Sequence, residues 1–223
     1  MRDPRGPFPR YREGALAVAP FAPAIAGAGI LFGCLARSAG FSWSAAVIMS
    51  ATTFAGSAQF AAVATLAAGG TALAASAAAA LLNLRYAVMG AAMAPAIRGR
   101  AWRRALIAQF VVDETFAAAA DGPHGFREER LIGAGALLFL VHTGATVVGA
   151  LAVPRLFDLS AWGLDGAVVA LFVVVLRSRL VSRSAWLAAL AGGAVTLLLT
   201  PALPPGLPLL AAGGVAVVGH ARR

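Results

Sequence analysis

The residues of this chain that could do chemistry are few, and they lie inside long apolar stretches. No charged residue occurs between Arg37 and Arg85, which leaves 47 uncharged residues in a row (38–84). Arg85 ends that run within Leu81-Leu-Asn-Leu-Arg-Tyr-Ala-Val-Met89. A bilayer core takes about 20 apolar residues per helix, and a charge at that depth is costly, so Arg85 is a site hypothesis by default. Its guanidinium can hold a carboxylate through two parallel hydrogen bonds.

Two adjacent acids, Asp113 and Glu114, form a second polar group within Ala108-Gln-Phe-Val-Val-Asp-Glu-Thr-Phe116. On a continuous helix Gln109 would share a face with Asp113, and Glu114 would point about 100° away. Each acid at mid-membrane costs roughly 3 kcal/mol and needs a partner or a proton. We expect at least one of them to face the interior, where it carries protons or binds a substrate ammonium. The alternatives are a structural ion pair with Arg85 or a position near a helix end.

The strongly polar interruption of the uncharged stretch is Phe54-Ala-Gly-Ser-Ala-Gln-Phe60. Ser and Gln side chains can bond freed backbone groups, and Gly tolerates unusual dihedral angles. Unwound membrane helices commonly bind substrates near the midplane, so we predict a break near residues 55–59. A continuous helix with tightly packed small residues is the alternative. Gly29-x-x-x-Gly33 independently predicts a close approach of two helices.

One histidine, His142, lies in the middle of the apolar sequence Leu138-Phe-Leu-Val-His-Thr-Gly144. A histidine in that position can relay protons, because its ordinary pKa lies near neutrality. The alternative is a core histidine that is hydrogen-bonded to a neighbouring helix. Both interpretations place its ring in the protein interior rather than against lipid.

Composition sets the class of the protein. The chain is 60% hydrophobic and 12% charged, whereas a soluble domain has roughly 25% charged residues. The net charge of +9 lies in short loops and termini, as expected for cytoplasmic loops of a membrane protein, and no basic patch suits a nucleic acid. A single cysteine, Cys34, excludes an internal disulfide and a cysteine zinc cluster. No hydrolase, nucleotide-binding or metalloprotease motif occurs, so we expect neither catalysis nor a cofactor nor a metal.

Charge and Pro/Gly punctuation divide the chain into eight apolar segments, at 14–36, 43–68, 71–97, 104–120, 131–153, 165–180, 184–200 and 207–219. We predict an all-α, polytopic membrane protein with about 6–8 such segments. It would have a cytoplasmic N-terminal segment (1–13), a single transmembrane transporter domain (14–220) and a short tail (221–223). Arginine clusters separated by three segments each can share one side only if 43–68 and 104–120 are broken or re-entrant. Two triplets with matching irregularities indicate an internal repeat.

Several ordered motifs resemble the AzlC family, the large subunits of branched-chain amino acid exporters. The matching stretches are Ala39-Gly-Phe-Ser-Trp43, Met49-Ser50, Phe54-Ala-Gly-Ser-Ala-Gln-Phe60, Leu82-Asn-Leu-Arg-Tyr86 with Met89, Ala94-Pro95 and Asp113-Glu-Thr-Phe116. They cover most of residues 10–120, and the match continues weakly through Gly163-Leu-Asp-Gly166. The family more often has His where Tyr86 stands, and a bulky apolar or aromatic residue is expected in place of His142.

The resemblance implies a secondary transporter in the bacterial inner membrane that exports Leu, Ile, Val or analogues together with a small AzlD-like membrane subunit. The residues expected to bind substrate are Gly56, Ser57, Gln59, Asn83, Arg85 and Tyr86. Those expected to couple protons are Asp113, Glu114 and His142. The alternative is a channel or scaffold subunit whose partner holds the transport site.

Overall fold

Apolar helices make up the described part of the protein. The computed structural model describes residues 8–152, 173, 177, 180 and 182–203, and no β-strand occurs among them. The helices are α1 (Phe8–Val18), α2 (Ala22–Ser38), α3 (Trp43–Thr53), α4 (Gly56–Ala67), α5 (Ala72–Met93), α6 (Ala101–Ala108), α7 (Asp113–Ala119), α8 (Glu128–Leu151) and α9 (Arg183–Leu199). Short 3₁₀ turns lie at Ala19–Phe21 and Gly122–His124. The chain is therefore an all-α protein, as predicted.

Three helical stretches are long and apolar enough to cross a bilayer: Phe8–Ser38, Ala72–Met93 and Glu128–Leu151. The first joins α1 and α2 through the 3₁₀ turn that contains Pro20, because proline cannot donate a backbone hydrogen bond. It begins at Phe8, six residues before the predicted start at Gly14. These spans, together with the shorter apolar helices, identify a membrane protein. Most of segment 165–180 and all of segment 207–219 lie outside the described residues.

The long N-terminal helix and α8 lie side by side and run in the same direction. Gly29 and Gly33 of α2 face the backbone of α8, and a Cβ atom on either would lie 2.5 Å from a carbonyl oxygen of α8. Gly14 contacts α8 near its beginning in the same way. The close approach predicted from Gly29-x-x-x-Gly33 is therefore confirmed, and only residues without a side chain allow it.

The first broken segment folds back on itself. Along α3, Ser50 hydrogen-bonds Thr146 and Ala46 lies in one apolar cluster with Ala150, so α3 runs antiparallel to α8. Helix α4 reverses this course: Gln59 bonds His142, and Val63 rejoins the cluster that contains Ala150. Helices α3 and α4 therefore form a helical hairpin, the first hairpin, whose tip lies beside the middle of α8.

The second broken segment is also a hairpin, and it enters from the opposite end. Helix α6 starts beside the beginning of α8, where Arg103 pairs with Glu128. Its continuation brings Val112 into contact with the cluster containing Leu138, midway along α8. Helix α7 then returns, so that Ala119 packs in the cluster of Leu131 near the start of α8. Helices α6 and α7 are the second hairpin, and its tip comprises residues 109–112.

The two hairpin tips meet at the centre of the bundle. Phe54 from the first tip and Val112 from the second share an apolar cluster with Val18, Ala134 and Leu138. A long helix followed by a hairpin occurs twice, as α1–α2 with the first hairpin and α5 with the second, in opposite orientations. The described residues thus form two helix–hairpin pairs with α8 outside them. The predicted repeat of two triplets stays a prediction, because most of its last segment, 165–180, lies outside the described residues.

Arginines gather at one end of this bundle. Arg103 pairs with Glu128 there, and Arg127 and Arg130 pair with Asp121 at 2.6 and 3.6 Å. The hydrogen bond to Asp121 raises the pKa of the Arg127 guanidinium, so Arg127 keeps its positive charge. Folding back the two hairpins brings the segments around residues 10, 100 and 127 to the same end. The clusters near residues 10 and 100 and the mixed cluster at 121–130 therefore lie at one end without a further crossing. The prediction for the clusters at 177–183 and 222–223 stays open, because most of the chain that leads to them lies outside the described residues.

Candidate functional site

A cavity of about 240 Å³ lies where the hairpin tips, α2, α5 and α8 come together. Its lining contains seven of the nine residues that the sequence analysis selected: Gly56, Ser57, Arg85, Tyr86, Asp113, Glu114 and His142. The apolar remainder comprises Ile25, Ala28, Phe54, Phe60, Val112 and Leu138. A single water needs only about 10–15 Å³ in such a cavity. The space therefore suits a small organic molecule with both polar and apolar parts.

The break in the first hairpin forms one wall of the cavity. Helix α3 ends at Thr53, Phe54 adopts a left-handed conformation with φ 40°, and α4 begins at Gly56. The predicted interruption is confirmed, but it falls at Phe54 and Ala55, while Gly56 and Ser57 belong to the first turn of α4. Phe54 is the one non-glycine residue with positive φ in the described ranges. A bulky residue in that conformation is strained and is held by its surroundings.

Contacts with two aromatic rings hold Phe54 in place. Its ring packs edge-on against Phe139 and His142, with centroids 5.3 and 6.1 Å away. No side chain caps the N-terminus of α4, because the residue before Gly56 is Ala55. The first backbone N–H groups of α4, at the end of the helix that borders the cavity, therefore have no side-chain acceptor. A helix N-terminus in this state favours an anionic group.

The break in the second hairpin is stabilised locally by Thr115. The hydroxyl of Thr115 accepts a hydrogen bond from the N–H of Val112 at 3.0 Å and contacts the carbonyl of Phe110. Asp113 and Glu114 consequently stand in the first turn of α7 rather than within a long helix. The expectation that Gln109 shares a helical face with Asp113 is wrong, because the helix ends between them. The expected position of Asp113 near a helix end is confirmed.

Arg85 connects three elements at the cavity through a single nitrogen. Its Nη2 donates to Ser57 Oγ of α4 at 3.1 Å and to the Tyr86 hydroxyl at 3.0 Å, and lies 3.3 Å from Asp113 Oδ2 of α7. The guanidinium also lies 4.8 Å from the centre of the Tyr86 ring. The structural ion pair with Asp113 is therefore present. Within the described ranges Nε and Nη1 make no hydrogen bond, so their N–H groups remain available to a ligand as single donors.

Glu114 is the second acid on the cavity wall, and its situation differs from that of Asp113. Asp113 is paired with Arg85. Glu114 lines the same cavity and forms no hydrogen bond or ion pair with another described residue. The positive charge of Arg85 is thus balanced by Asp113, and the charge of Glu114 has no partner among these groups. A ligand cation or a proton can supply that partner.

His142 and Gln59 form a buried polar pair behind the apolar wall. Nε2 of His142 lies 3.1 Å from Oε1 of Gln59, within hydrogen-bond distance, and both side chains are buried. His142 is therefore the interior histidine bonded to a neighbouring helix, and it also lines the cavity. Gln59 reaches the cavity only through His142. The amide nitrogen of Gln59 is buried with no partner among the described residues.

Two predicted site residues do not line the cavity: Gln59, which lies beyond His142, and Asn83. Asn83 precedes Arg85 by two positions on α5, and two residues of a helix are about 200° apart, so their side chains point in opposite directions. Sequence reasoning missed the apolar wall and Phe54. The apolar wall carries no local signal, since its residues resemble every other aliphatic position in the chain.

An α-helical membrane protein with a polar cavity between two hairpin tips is the class that the fold and the site define. The family model described as AzlC protein matches residues 20–156, which is more than half of the chain. The chain therefore belongs to the AzlC protein family, which is linked to branched-chain amino acid transport. No curated protein and no solved structure shows a significant match to it.

Proposed function

We propose that this protein is the large subunit of a proton-coupled secondary transporter that exports branched-chain amino acids across the bacterial inner membrane. It would act with a small AzlD-like membrane subunit and release its substrate chemically unchanged. The observation that carries the proposal is the cavity, in which one cation with uncommitted N–H groups, a carboxylate without an ion pair among the described residues, and an apolar wall line the same space. Each of these matches one part of a zwitterion with an aliphatic side chain.

The arginine-rich end of the bundle would face the cytoplasm, in line with the positive-inside rule. In that orientation the first hairpin enters the membrane from outside and the second from the cytoplasm, and the chain is multi-pass. The cavity then lies near the midplane, where transporters with broken helices bind their substrates. Backbone groups at the tips are tolerated there because they face protein or the cavity rather than lipid.

The substrate carboxylate would accept hydrogen bonds from the uncommitted N–H groups of Arg85 and from the first N–H groups of α4. Charge-assisted hydrogen bonds of this kind are stronger than those between neutral groups. The substrate ammonium would bind to Glu114. The aliphatic side chain would lie against Ile25, Ala28 and Leu138 of the apolar wall. Burial of a leucine side chain contributes about 1.5–3 kcal/mol.

Competition for Glu114 supplies a route to proton coupling. With Arg85 balanced by Asp113, Glu114 can carry either a proton or the substrate ammonium, but not both. The proton enters from the acidic outer side and leaves when substrate binds on the inner side. One proton then moves inward for each amino acid exported. His142 faces the same cavity and is the second group able to hold a proton there.

Uptake of radiolabelled leucine into everted membrane vesicles tests this function, because export from cells becomes uptake in that geometry. We expect saturable uptake driven by a vesicle interior made acidic, with valine and isoleucine competing. Vesicles would carry the full chain with and without the small subunit, and full activity should need both. Absence of leucine flux from the pair would refute the substrate assignment.

The scaffold alternative makes a different prediction in the same assay. If the partner holds the transport site, substitution of Arg85 should leave leucine flux intact as long as the complex assembles. Arg85→Lys retains the positive charge beside Asp113 and so preserves the ion pair needed for assembly. Unchanged transport in that variant, at equal amounts of assembled complex, would establish the scaffold role.

A further inference from the structure

Gln109, a residue outside the predicted site, joins the two hairpin tips directly. Its side-chain amide donates to the carbonyl oxygens of Ala51 at 3.2 Å and of Thr52 at 2.7 Å. These carbonyls belong to the last turn of α3, and such groups have no partner inside their own helix. The NH₂ group of glutamine offers two donors, so one side chain can bind both carbonyls. Gln109 of the second hairpin thus caps the C-terminus of α3, the first helix of the first hairpin.

Packing between the helices of the two hairpins is limited. Gln109 of the second hairpin donates two hydrogen bonds directly to the first, and among the described residues the helices of the two hairpins share no extensive packing surface. A second, indirect link runs from Ser57 through Arg85 to Asp113. Each hairpin packs mainly on other helices: α3 on α8, α4 on α5, and α7 on α8. The tips can therefore separate without disrupting either hairpin.

The position of Gln109 makes this link relevant to the cavity. Only the tip residues 110–112 separate it from Asp113 and Glu114, and its acceptors stand just before the break at Phe54 and the start of α4. The distance between the N-terminus of α4 and Glu114 therefore depends on the two hydrogen bonds that Gln109 donates to α3. In the proposed function those two points hold opposite ends of the substrate.

We propose that Gln109 is a positioning residue that clamps the two hairpin tips in the substrate-binding state and releases them during transport. This inference rests on the proposed function, because it assigns the tips to the two ends of an amino acid. While the clamp is closed, the cavity has the spacing that a zwitterion needs. When its hydrogen bonds break, the hairpins part and the site opens toward one side of the membrane.

Reversible cross-linking of the tips tests the clamp. Cys34 is the chain's one cysteine, so Cys34→Ala provides a thiol-free background. Thr52→Cys and Gln109→Cys are then joined by a short bifunctional thiol reagent that a reductant cleaves. The control pair, Ser50→Cys with Thr146→Cys, joins α3 to α8, where the two hydroxyls lie 2.9 Å apart. Leucine binding and leucine uptake are measured in vesicles containing the complete transporter, before and after cleavage.

We expect the 52–109 cross-link to abolish uptake, to retain the leucine binding of its own reduced form and to allow the uptake of that reduced form again after cleavage. The cross-linked control pair should transport at the rate of its reduced form. Unchanged uptake by the 52–109 cross-linked protein would overturn the clamp while leaving the transport function standing. Loss of uptake in both pairs would also overturn it, since the effect would not be specific to the tips. Absence of leucine uptake in the Cys34→Ala background, which retains Gln109, would refute the proposed function instead.

Substitution of Gln109 provides a second test that needs no cross-link. Gln109→Glu retains the shape of the side chain but replaces the two-proton donor by an acceptor that repels the carbonyls of α3. We expect a rise in KM for leucine of roughly tenfold with the complex still assembled, because the site loses its spacing. Gln109→Lys, which restores donors at a helix C-terminus, should recover part of the affinity. A KM unchanged in Gln109→Glu would contradict the positioning role.

Discussion

Replacement of Arg85 by lysine is the sharpest test of the carboxylate site. Arg85 uses Nη2 for Ser57, Tyr86 and Asp113, it lines the cavity, and Nε and Nη1 make no hydrogen bond with a described residue. Lysine has a single ammonium nitrogen in place of the three guanidinium nitrogens of arginine. It can pair with Asp113 or bind the substrate carboxylate, but it cannot do both with the same geometry.

The expected loss can be worked out from these contacts. A hydrogen bond to a charged group contributes about 1.5–3 kcal/mol. Loss of one such bond to the substrate carboxylate reduces affinity by roughly 10–150-fold, since 1.4 kcal/mol corresponds to a factor of ten. Arg85→Ala is a poorer test, because it also leaves Asp113 without its cation and endangers assembly.

The measurement is the KM for radiolabelled leucine in everted vesicles, with the amount of assembled complex determined in parallel. Val88→Ala serves as the matched control, since Val88 lies on the same helix, three residues further on, and is 73% exposed. We expect KM to rise by about 10–150-fold in Arg85→Lys and to stay within about twofold in Val88→Ala. A KM within about threefold of the parent in Arg85→Lys would refute the reasoning.

Three further predictions concern the acid, the wall and the helix contact. If Glu114 exchanges a proton for the substrate ammonium, the affinity for leucine should fall as pH falls, by up to tenfold per pH unit. Glu114→Gln should bind leucine weakly at every pH. A pH profile like that of the parent protein in this variant would assign proton coupling to His142 or to the partner subunit instead. Ala28→Leu should narrow the cavity and shift discrimination toward valine over leucine by about tenfold, as judged from kcat/KM; unchanged discrimination would remove Ala28 from the side-chain wall. Gly33→Ala places a Cβ atom 2.5 Å from the Thr146 carbonyl oxygen and should destabilise the fold by about 1–3 kcal/mol. Gly27→Ala is the control, because Gly27 has open space around it and the variant should be as stable as the parent protein. Thermal unfolding in detergent compares the two variants, and equal unfolding midpoints would contradict the packing argument.

Several properties could be predicted from the sequence because they depend on local composition. An uncharged stretch of this length predicts membrane helices however they are arranged, since the free energy of transfer from water to the bilayer is set residue by residue. The polar interruption between Phe54 and Phe60 predicts a break for the same local reason, and the structure has one. Arg85 and the two acids stood out because a charge in an apolar segment is costly wherever the segment packs.

The exact geometry of the breaks required the tertiary structure. Phe54 takes the left-handed conformation, although Gly56 is the residue with that freedom, because the rings of Phe139 and His142 hold it there. Gln109 and Asp113 were expected on one helical face, and a helix end separates them. Helix periodicity describes side-chain directions only where the helix continues, and Thr115 decides locally that it does not.

Which polar groups meet was decided by folding alone. Arg85 and Asp113 are distant in sequence, and nothing local distinguishes Asp113 from Glu114 as the partner of Arg85. The opposed hairpins bring Asp113 to Nη2 and leave Glu114 on the cavity wall. The same folding excludes Asn83 from the cavity lining, because the side of α5 that carries Asn83 is opposite the side that carries Arg85. By itself the sequence determined which residues are costly to bury, whereas the tertiary structure decided which of them share a site, because that depends on contacts between helices distant in the chain.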